Sequence, residues 1–404
     1  MKNKTFAKLF ALALTLAALF CLPALAEAAE VTYTVTNEAE LRAAVDAANA
    51  IVAEANENGT KMDFVNIVVA DDIFLTSDLL LQDNLRLRMY GKDGHQYRFT
   101  SSAETMEQYV IGYVFAYMGC ELEFKDLIFD GGQTGVGFLV LVNATAKLDN
   151  VILENFLTNG YMNAVIYSLG LQSTGVPLQL HMTDCIVRNN TCKEYTRPIS
   201  FLFDDATTSF TRCTFSGNNA DSANGTLGLA GDATFTDCTF TNNTSAGGGA
   251  IYAVSCDLTV TGSTFTGNKA YYPYHPDGGE GGGALHLKGE VKATISDCTF
   301  TGNSSDISGG AVTAFINTVA TFTDCEFRNN SAVSHGGAFC VADMFSADDS
   351  KASHITLNNC LLQGNKANGG DTSGEHKSDP LAPGGGAIYL HEYCTATLNS
   401  GTQL

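Results

Sequence analysis

The sequence predicts an all-β fold, a right-handed parallel β-helix with an N-terminal capping α-helix. Three observations carry this reading: a short motif that recurs along the chain, apolar residues that alternate within each copy, and a Gly-Gly-Ala step that follows the copies.

The motif Asp237-Cys238-Thr239-Phe240-Thr241-Asn242-Asn243 returns as Gly262-Ser263-Thr264-Phe265-Thr266-Gly267-Asn268 and as Asp297-Cys298-Thr299-Phe300-Thr301-Gly302-Asn303. Further copies begin at Arg212 and Asp324, and looser ones at Asp184 and Asn359. A period of roughly 24–28 residues marks a solenoid, because no single unit can bury its apolar face without a neighbour.

Within a copy, Cys238 and Phe240 share one face, as do Ala233 and Phe235 before them, and the parity shifts across Thr236-Asp237. A polar turn between two inward-facing strands produces this shift. A third strand follows the glycine step, as in Gly248-Gly249-Ala250-Ile251 and Gly282-Gly283-Ala284-Leu285. Three strands and three turns per coil, over about ten to eleven coils, predict a rod on the order of 50 Å long.

The chain divides into residues 1–26 as a leader, 27–66 as a capping-helix region and 67–404 as the β-helix. Lys2, Lys4 and Lys8 precede the apolar run from Leu9 to Phe20, and Ala24-Leu25-Ala26 follows. These are the three regions of a secretory signal peptide. Bulky Phe20 before Cys21 speaks against lipid attachment at that cysteine. No later apolar run has spanning length, so no membrane span is expected in the mature chain. In the next segment Asn37 and Glu40 form a capping box for a helix over residues 38–50, with Leu41, Ala44, Val45 and Ala48 on one face. Such a helix covers the open end of a rod, whose unpaired strand edges otherwise invite aggregation.

Loss of Lys2, Lys4 and Lys8 with the leader takes the formal charge from −21 to −24. A body this acidic is repelled by phosphate backbones, which argues against nucleic-acid binding. The location expected is outside the cell, secreted or on the bacterial surface.

Residues that repeat at one coil position stack as ladders. Asn218, Asn243, Asn268, Asn303, Asn330 and Asn365 form an amide ladder, and Phe215, Phe240, Phe265, Phe300 and Phe327 an aromatic stack in the core. Cys185, Cys213, Cys238, Cys298, Cys325 and Cys360 share one rung position, with Ser263 in place of a cysteine. This spacing reads as a buried column of free thiols, not a disulfide framework. No convergent Cys/His spacing suits zinc, so neither metal nor cofactor is expected.

Gly-Gly-Ala-hydrophobic stands at 248–251, 282–285, 309–312 and 385–388. Phe-x-x-Asn stands at 215–218, 240–243, 265–268, 300–303 and 327–330. The pair resembles the repeats of chlamydial polymorphic outer membrane proteins over about residues 210–390, although Phe339 departs from the first motif. The resemblance implies a surface-exposed passenger-type β-helix used in adhesion. Members of that family continue into an outer-membrane barrel. Here Leu398 and Gly401 match Ile295 and Cys298, so the sequence stops partway through a coil. Either it is a fragment or a partner covers its last edge.

Two long insertions fall between the Asn ladder and the Gly-Gly-Ala step. One carries Tyr271, Tyr272, Tyr274, His275, Asp277 and Glu280, and the other carries Asp371, Glu375, His376 and Asp379. Leaving from equivalent positions three coils apart, they emerge on one side of the rod roughly 15 Å from each other. A third insertion, over residues 342–353, leaves from a different corner. Loops on a rigid scaffold carry binding, and exposed tyrosines anchor partners or stack on sugars. His286 and His391 follow equivalent steps as outward-facing residues. The function expected is therefore binding of extracellular glycans or proteins. The alternative is a polysaccharide lyase or glycoside hydrolase of the pectate-lyase-like fold, which requires convergent carboxylates. Asp204-Asp205 is an adjacent acidic pair in the repeat body. Ser200, Thr226 and Ala250, read as equivalent positions, add no carboxylate to it.

Overall fold

The structure, a computed structural model, describes residues 30–101, 112–132, 137–158, 164–170, 175–193, 196–201, 206–271, 281–342, 352–368, 386–391 and 393–404. Among the described residues the strands pair in parallel into sheets of 22, 8 and 11 strands, the 8-stranded one beginning only at Leu157–Thr158. Identical residues lie level: Phe215 with Phe240, Phe240 with Phe265, Phe265 with Phe300, and Phe300 with Phe327. The chain is an all-β parallel β-helix.

One coil shows why. Asp232–Thr236 and Thr239–Thr241 lie in the 22-stranded sheet, Thr244–Gly247 in the 8-stranded sheet and Ile251–Val254 in the 11-stranded sheet. The coil therefore has four strands, not the three read from alternation. The extra strand shrinks to pairs such as Lys269–Ala270, Ser304–Ser305 and Ser331–Ala332, too short to show a period of two. The parity shift has a backbone cause: Asp237 has φ 54°, and Asp184, Asp297 and Asp324 take the same left-handed conformation. Asp and Asn tolerate that region because their short polar side chains bond locally. At the glycine step the demand is steric. A Cβ on Gly283 would lie 2.2 Å from the carbonyl oxygen of Gly310 in the next coil.

Three repeating columns run through the interior, packed against the inward aliphatic residues of the 11-stranded sheet such as Leu227, Ile251 and Leu285. The rings of Phe215, Phe240, Phe265, Phe300 and Phe327 stack at centroid spacings of 4.6–4.9 Å, with planes within 7° of parallel. Beside them the amides chain together from coil to coil. Asn243 Nδ2 donates to Asn268 Oδ1 at 3.0 Å and to the Phe215 carbonyl at 2.9 Å, and its backbone N–H donates to Asn268 Oδ1 at 3.1 Å. Asn190 stands in the same ladder, donating to Asn218 Oδ1 at 2.9 Å. The thiols form the third column: Cys213 donates to the Met182 carbonyl and Cys238 to that of Phe210, each at 3.4 Å. Ser263 keeps the position polar, accepting from the Cys238 N–H at 3.0 Å. All eleven described cysteines are buried and unbridged.

At the N-terminal end, α1 spans Glu38–Glu57, longer than the 38–50 expected. The apolar face runs on through Val52, which is buried with Leu41, Ala44, Val45 and Ala48. The cap is shared with the preceding residue. Asn37 Oδ1 accepts from the Glu40 N–H at 3.0 Å, whereas the Glu40 carboxylate takes the N–H and hydroxyl of Thr36 in place of the Asn37 backbone N–H. The sheet also begins before the helix, because Thr32–Val35 pairs in register with Val65–Val69. Glu38 and Arg42 bind α1 to the first coil: Glu38 accepts from Thr76, and Arg42 donates to the Ser77 and Asp78 carbonyls. At the other end Leu398 pairs with Leu357, but Thr402 and not Gly401 takes the cysteine position. Its hydroxyl accepts from the Cys360 N–H at 3.3 Å, while Gly401 serves the left-handed corner at φ 89°.

Candidate functional site

The 11-stranded sheet receives the chain directly after the long insertions, and its outer side carries a column of aromatic and small residues. Pairing sets one outward column as Leu80, Phe115, Val140, Tyr167, Ser200, Gly228, Tyr252, His286, Thr313, Cys340 and Tyr389. Among these described residues the column carries no acid, in a chain of formal charge −21. Ser200 stands level with Gly228 and Tyr252, not with Thr226 and Ala250 as read from the sequence. The inward anchors Ile199, Leu227 and Ile251 set that register.

Gly228 creates the opening for a cation. A Cβ there would lie 2.0 Å from Arg197 Nη1, so the guanidinium occupies the space a side chain would take. The Arg197 guanidinium carbon is 5.9 Å from the ring centre of Tyr252, whose ring is 5.3 Å from that of His286. Such spacing allows cation–π and ring contacts along the rod axis. His286 points outward as expected, yet it is fully buried, with Nδ1 3.2 Å from the Gly281 carbonyl. Two coils on, His335 is also buried, with Nδ1 3.2 Å from Ser308 Oγ and its ring 4.5 Å from that of Tyr389.

Exposed aromatic surface flanks this column. Tyr271 is 40% exposed, with the Lys269 ammonium 5.5 Å from its ring centre, and Tyr117 and Tyr393 are also exposed. Tyr167, Tyr252 and Tyr389 are half-buried. Of the residues singled out in the two insertions, Tyr271 alone is described; Tyr272, Tyr274, His275, Asp277, Glu280, Asp371, Glu375, His376 and Asp379 lie outside the described residues, as do Asp204 and Asp205. Both insertions nonetheless depart from one column, since Ala270, Ser305, Ala332 and Ala367 are paired in succession. The 342–353 insertion follows Phe339–Ala342, at another corner.

A second feature lies where the 11-stranded sheet turns into the 22-stranded one. Asp232, Asp257, Glu290 and Lys292 line a depression of about 420 Å³ with Cys256 and Asn317. Ala233 pairs with Leu258, so Asp232 and Asp257 stand on adjacent rungs, with backbones about 4.8 Å apart. Burial, then the charges of Asp232 and Asp257, push the Cys256 thiol up to about 12. Sequence reasoning missed this pair because it sought adjacent acids. The signal was each aspartate's place one residue before an inward Ala233 or Leu258. No group of three or more metal-ligating side chains occurs among the described residues.

Residues 204–399 match the family model described as a right handed beta helix region, which gives the hand of the coil. The chain is similar to solved structures at low identity. The catalytic domain of a GH87 alpha-1,3-glucanase in complex with nigerose is 11% identical, with a TM-score of 0.44, over 88% of this chain and 67% of that one. The Agl-KA catalytic domain is 14% identical, with a TM-score of 0.37, over 92% and 69%. PfbA, a surface adhesin of Streptococcus pneumoniae, is 10% identical, with a TM-score of 0.34, over 81% and 87%. These likenesses concern the fold alone. No curated protein matches the sequence.

Proposed function

We propose that this protein is an exported, cell-surface or secreted β-helix that binds extracellular glycans or proteins in the manner of an adhesin. Its contact region is the outer side of the 11-stranded sheet with the loops that enter it. The observation that carries the reading is the run of exposed and half-buried tyrosines there, Tyr117, Tyr167, Tyr252, Tyr271 and Tyr389 among them, beside a column without acids. Tyrosine offers a flat apolar face with a polar tip at low entropic cost, which suits sugar rings and protein surfaces alike. The Gly-Gly-Ala and Phe-x-x-Asn repeats, with their resemblance to polymorphic outer membrane proteins, support surface display. No helix among the described residues is long and apolar enough to cross a membrane.

A polysaccharide-cleaving reading is favoured by one observation, the adjacent-rung carboxylates Asp232 and Asp257. Two carboxyl groups about 5–5.5 Å apart suit a retaining glycosidase. A single experiment separates the two. The protein is presented to a glycan array and host-cell matrix, and in parallel incubated with pectin, alginate and α- and β-glucans while reducing ends and unsaturated products are followed. Binding lost in Tyr271→Ala and Tyr252→Ala without product formation supports the adhesin. Turnover abolished in Asp257→Asn overturns it.

A further inference from the structure

The 22-stranded sheet carries a feature unrelated to the tyrosine region. On four successive coils the outward positions are Thr214 and Ser216, Thr239 and Thr241, Thr264 and Thr266, and Thr299 and Thr301. Each pair brackets one ring of the Phe215–Phe240–Phe265–Phe300 stack, so the hydroxyl rows stand directly over the most regular part of the core. The neighbouring strip continues them with Ser209 and Thr211, Thr234 and Thr236, Thr259 and Thr261, and Thr294 and Ser296.

Strand propensity alone does not account for this. Nearer the N-terminus, the outward column that holds Thr234 and Thr259 is filled by Arg88, Glu123, Lys147 and His181, so the sheet tolerates charge there. The Thr pairs are likewise bounded by charged strands, Ile186–Arg188 on one side and Glu326–Arg328 on the other. Within the four Thr/Ser pairs themselves no charged side chain intervenes, while Arg212, Asp237 and Asp297 stand exposed in the turn between the two strips.

The patch is geometrically regular. Rungs repeat at the ring spacing of 4.6–4.9 Å, and residues two apart on a strand stand roughly 6.6 Å from each other. Ring planes parallel to within 7° show that these coils stack almost without twist, unlike ordinary sheets. Among the described residues a single hydrogen bond joins two of the eight hydroxyls, Thr264 to Thr239 at 3.4 Å, which leaves the array to solvent. Each threonine presents a methyl group that cages water beside a hydroxyl that holds it. Water hydrogen-bonded to such a surface would adopt its two repeats, the shorter of them near the oxygen spacing on a face of hexagonal ice.

We propose that this threonine face is an ice-binding surface, whose ligand is the crystal itself. Water ordered over Thr239, Thr241, Thr264 and Thr266 merges with the ice lattice and pins the advancing front between bound molecules.

The test uses the whole secreted chain, free of its leader, in an ice-recrystallisation assay and in thermal-hysteresis measurements on single crystals. Wild type should arrest grain growth and open a gap between melting and freezing temperatures. The double variant Thr241→Lys/Thr266→Lys should lower that activity at least ten-fold while keeping the wild-type melting temperature. Thr191→Lys, on the 8-stranded sheet, should leave it unchanged. If the double variant folds poorly, Thr266→Lys alone is read in its place. Grain growth indistinguishable from that with an inert protein at equal concentration, or full activity in a folded Lys variant, overturns the proposal.

Discussion

Asn268→Ala tests how much the amide ladder holds the rod together. Asn268 is fully buried, and its amide makes four hydrogen bonds. Oδ1 accepts from the N–H and Nδ2 of Asn243, while Nδ2 donates to the Phe240 carbonyl and to Asn303 Oδ1. Alanine removes all four and strands the Asn243 N–H in a dry interior. At about 1–3 kcal/mol for each buried group left unpaired, the loss should be roughly 2–5 kcal/mol. Asn365 is the internal control. It makes the same type of contact, donating to the Phe327 carbonyl at 2.9 Å, but it is half-buried, so water replaces part of what is lost. Asn365→Ala should cost about 1 kcal/mol. Urea unfolding followed by far-ultraviolet circular dichroism measures both. Because coils couple only to their neighbours, the Asn268 variant should also show a smaller denaturant slope as the rod separates into two units. Equal midpoints for the two variants, or an Asn268→Ala loss below about 1 kcal/mol, would refute the reasoning.

Three further outcomes follow from the same geometry. In Gly310→Ala the new Cβ lies 2.2 Å from the Gly337 carbonyl oxygen and 2.5 Å from the Ser331 nitrogen, both backbone atoms that cannot turn aside. A loss above about 4 kcal/mol is expected by thermal melt, whereas Gly302→Ala, with open space but φ of 63°, should cost only about 1–2 kcal/mol. Burial pushes the Glu38 carboxyl up, but hydrogen bonds from Thr76 and Arg42 outweigh it and hold the group below its ordinary 4.5. Its contribution to docking α1 is therefore present above that value and lost as pH falls through the depressed one, so acid should loosen the cap and Glu38→Gln should flatten that dependence. Native protein should give no reaction with a thiol reagent, since burial pushes groups such as Cys340 up to about 12, and all eleven described cysteines should react once the chain is unfolded.

The repeat architecture was legible because each column obeys a local rule. Phe240 and Phe265 must face inward to be buried, Asn243 and Asn268 must sit where a turn needs an amide, and a fixed spacing brings each pair level. Alternation, parity shift and period are properties of one coil, so they survive in one dimension. The short strand Lys269–Ala270 was not legible, because two residues carry no period. Nor was the register of Ser200, which depends on which inward residue the next coil selects.

The outer surfaces belong to the tertiary structure for a related reason. Outward side chains feel no packing constraint from their own coil, and their meaning comes from what lies one rung above and below. Asp232 and Asp257 are unremarkable as letters twenty-five apart, and become a pair of carboxylates only when adjacent rungs place them side by side. Arg197 reaches over Gly228 only because the neighbouring coil leaves out a side chain. Hydrophobic burial wrote the interior into the chain as a pattern, whereas the surface is decided by stacking, which joins residues that the sequence keeps apart.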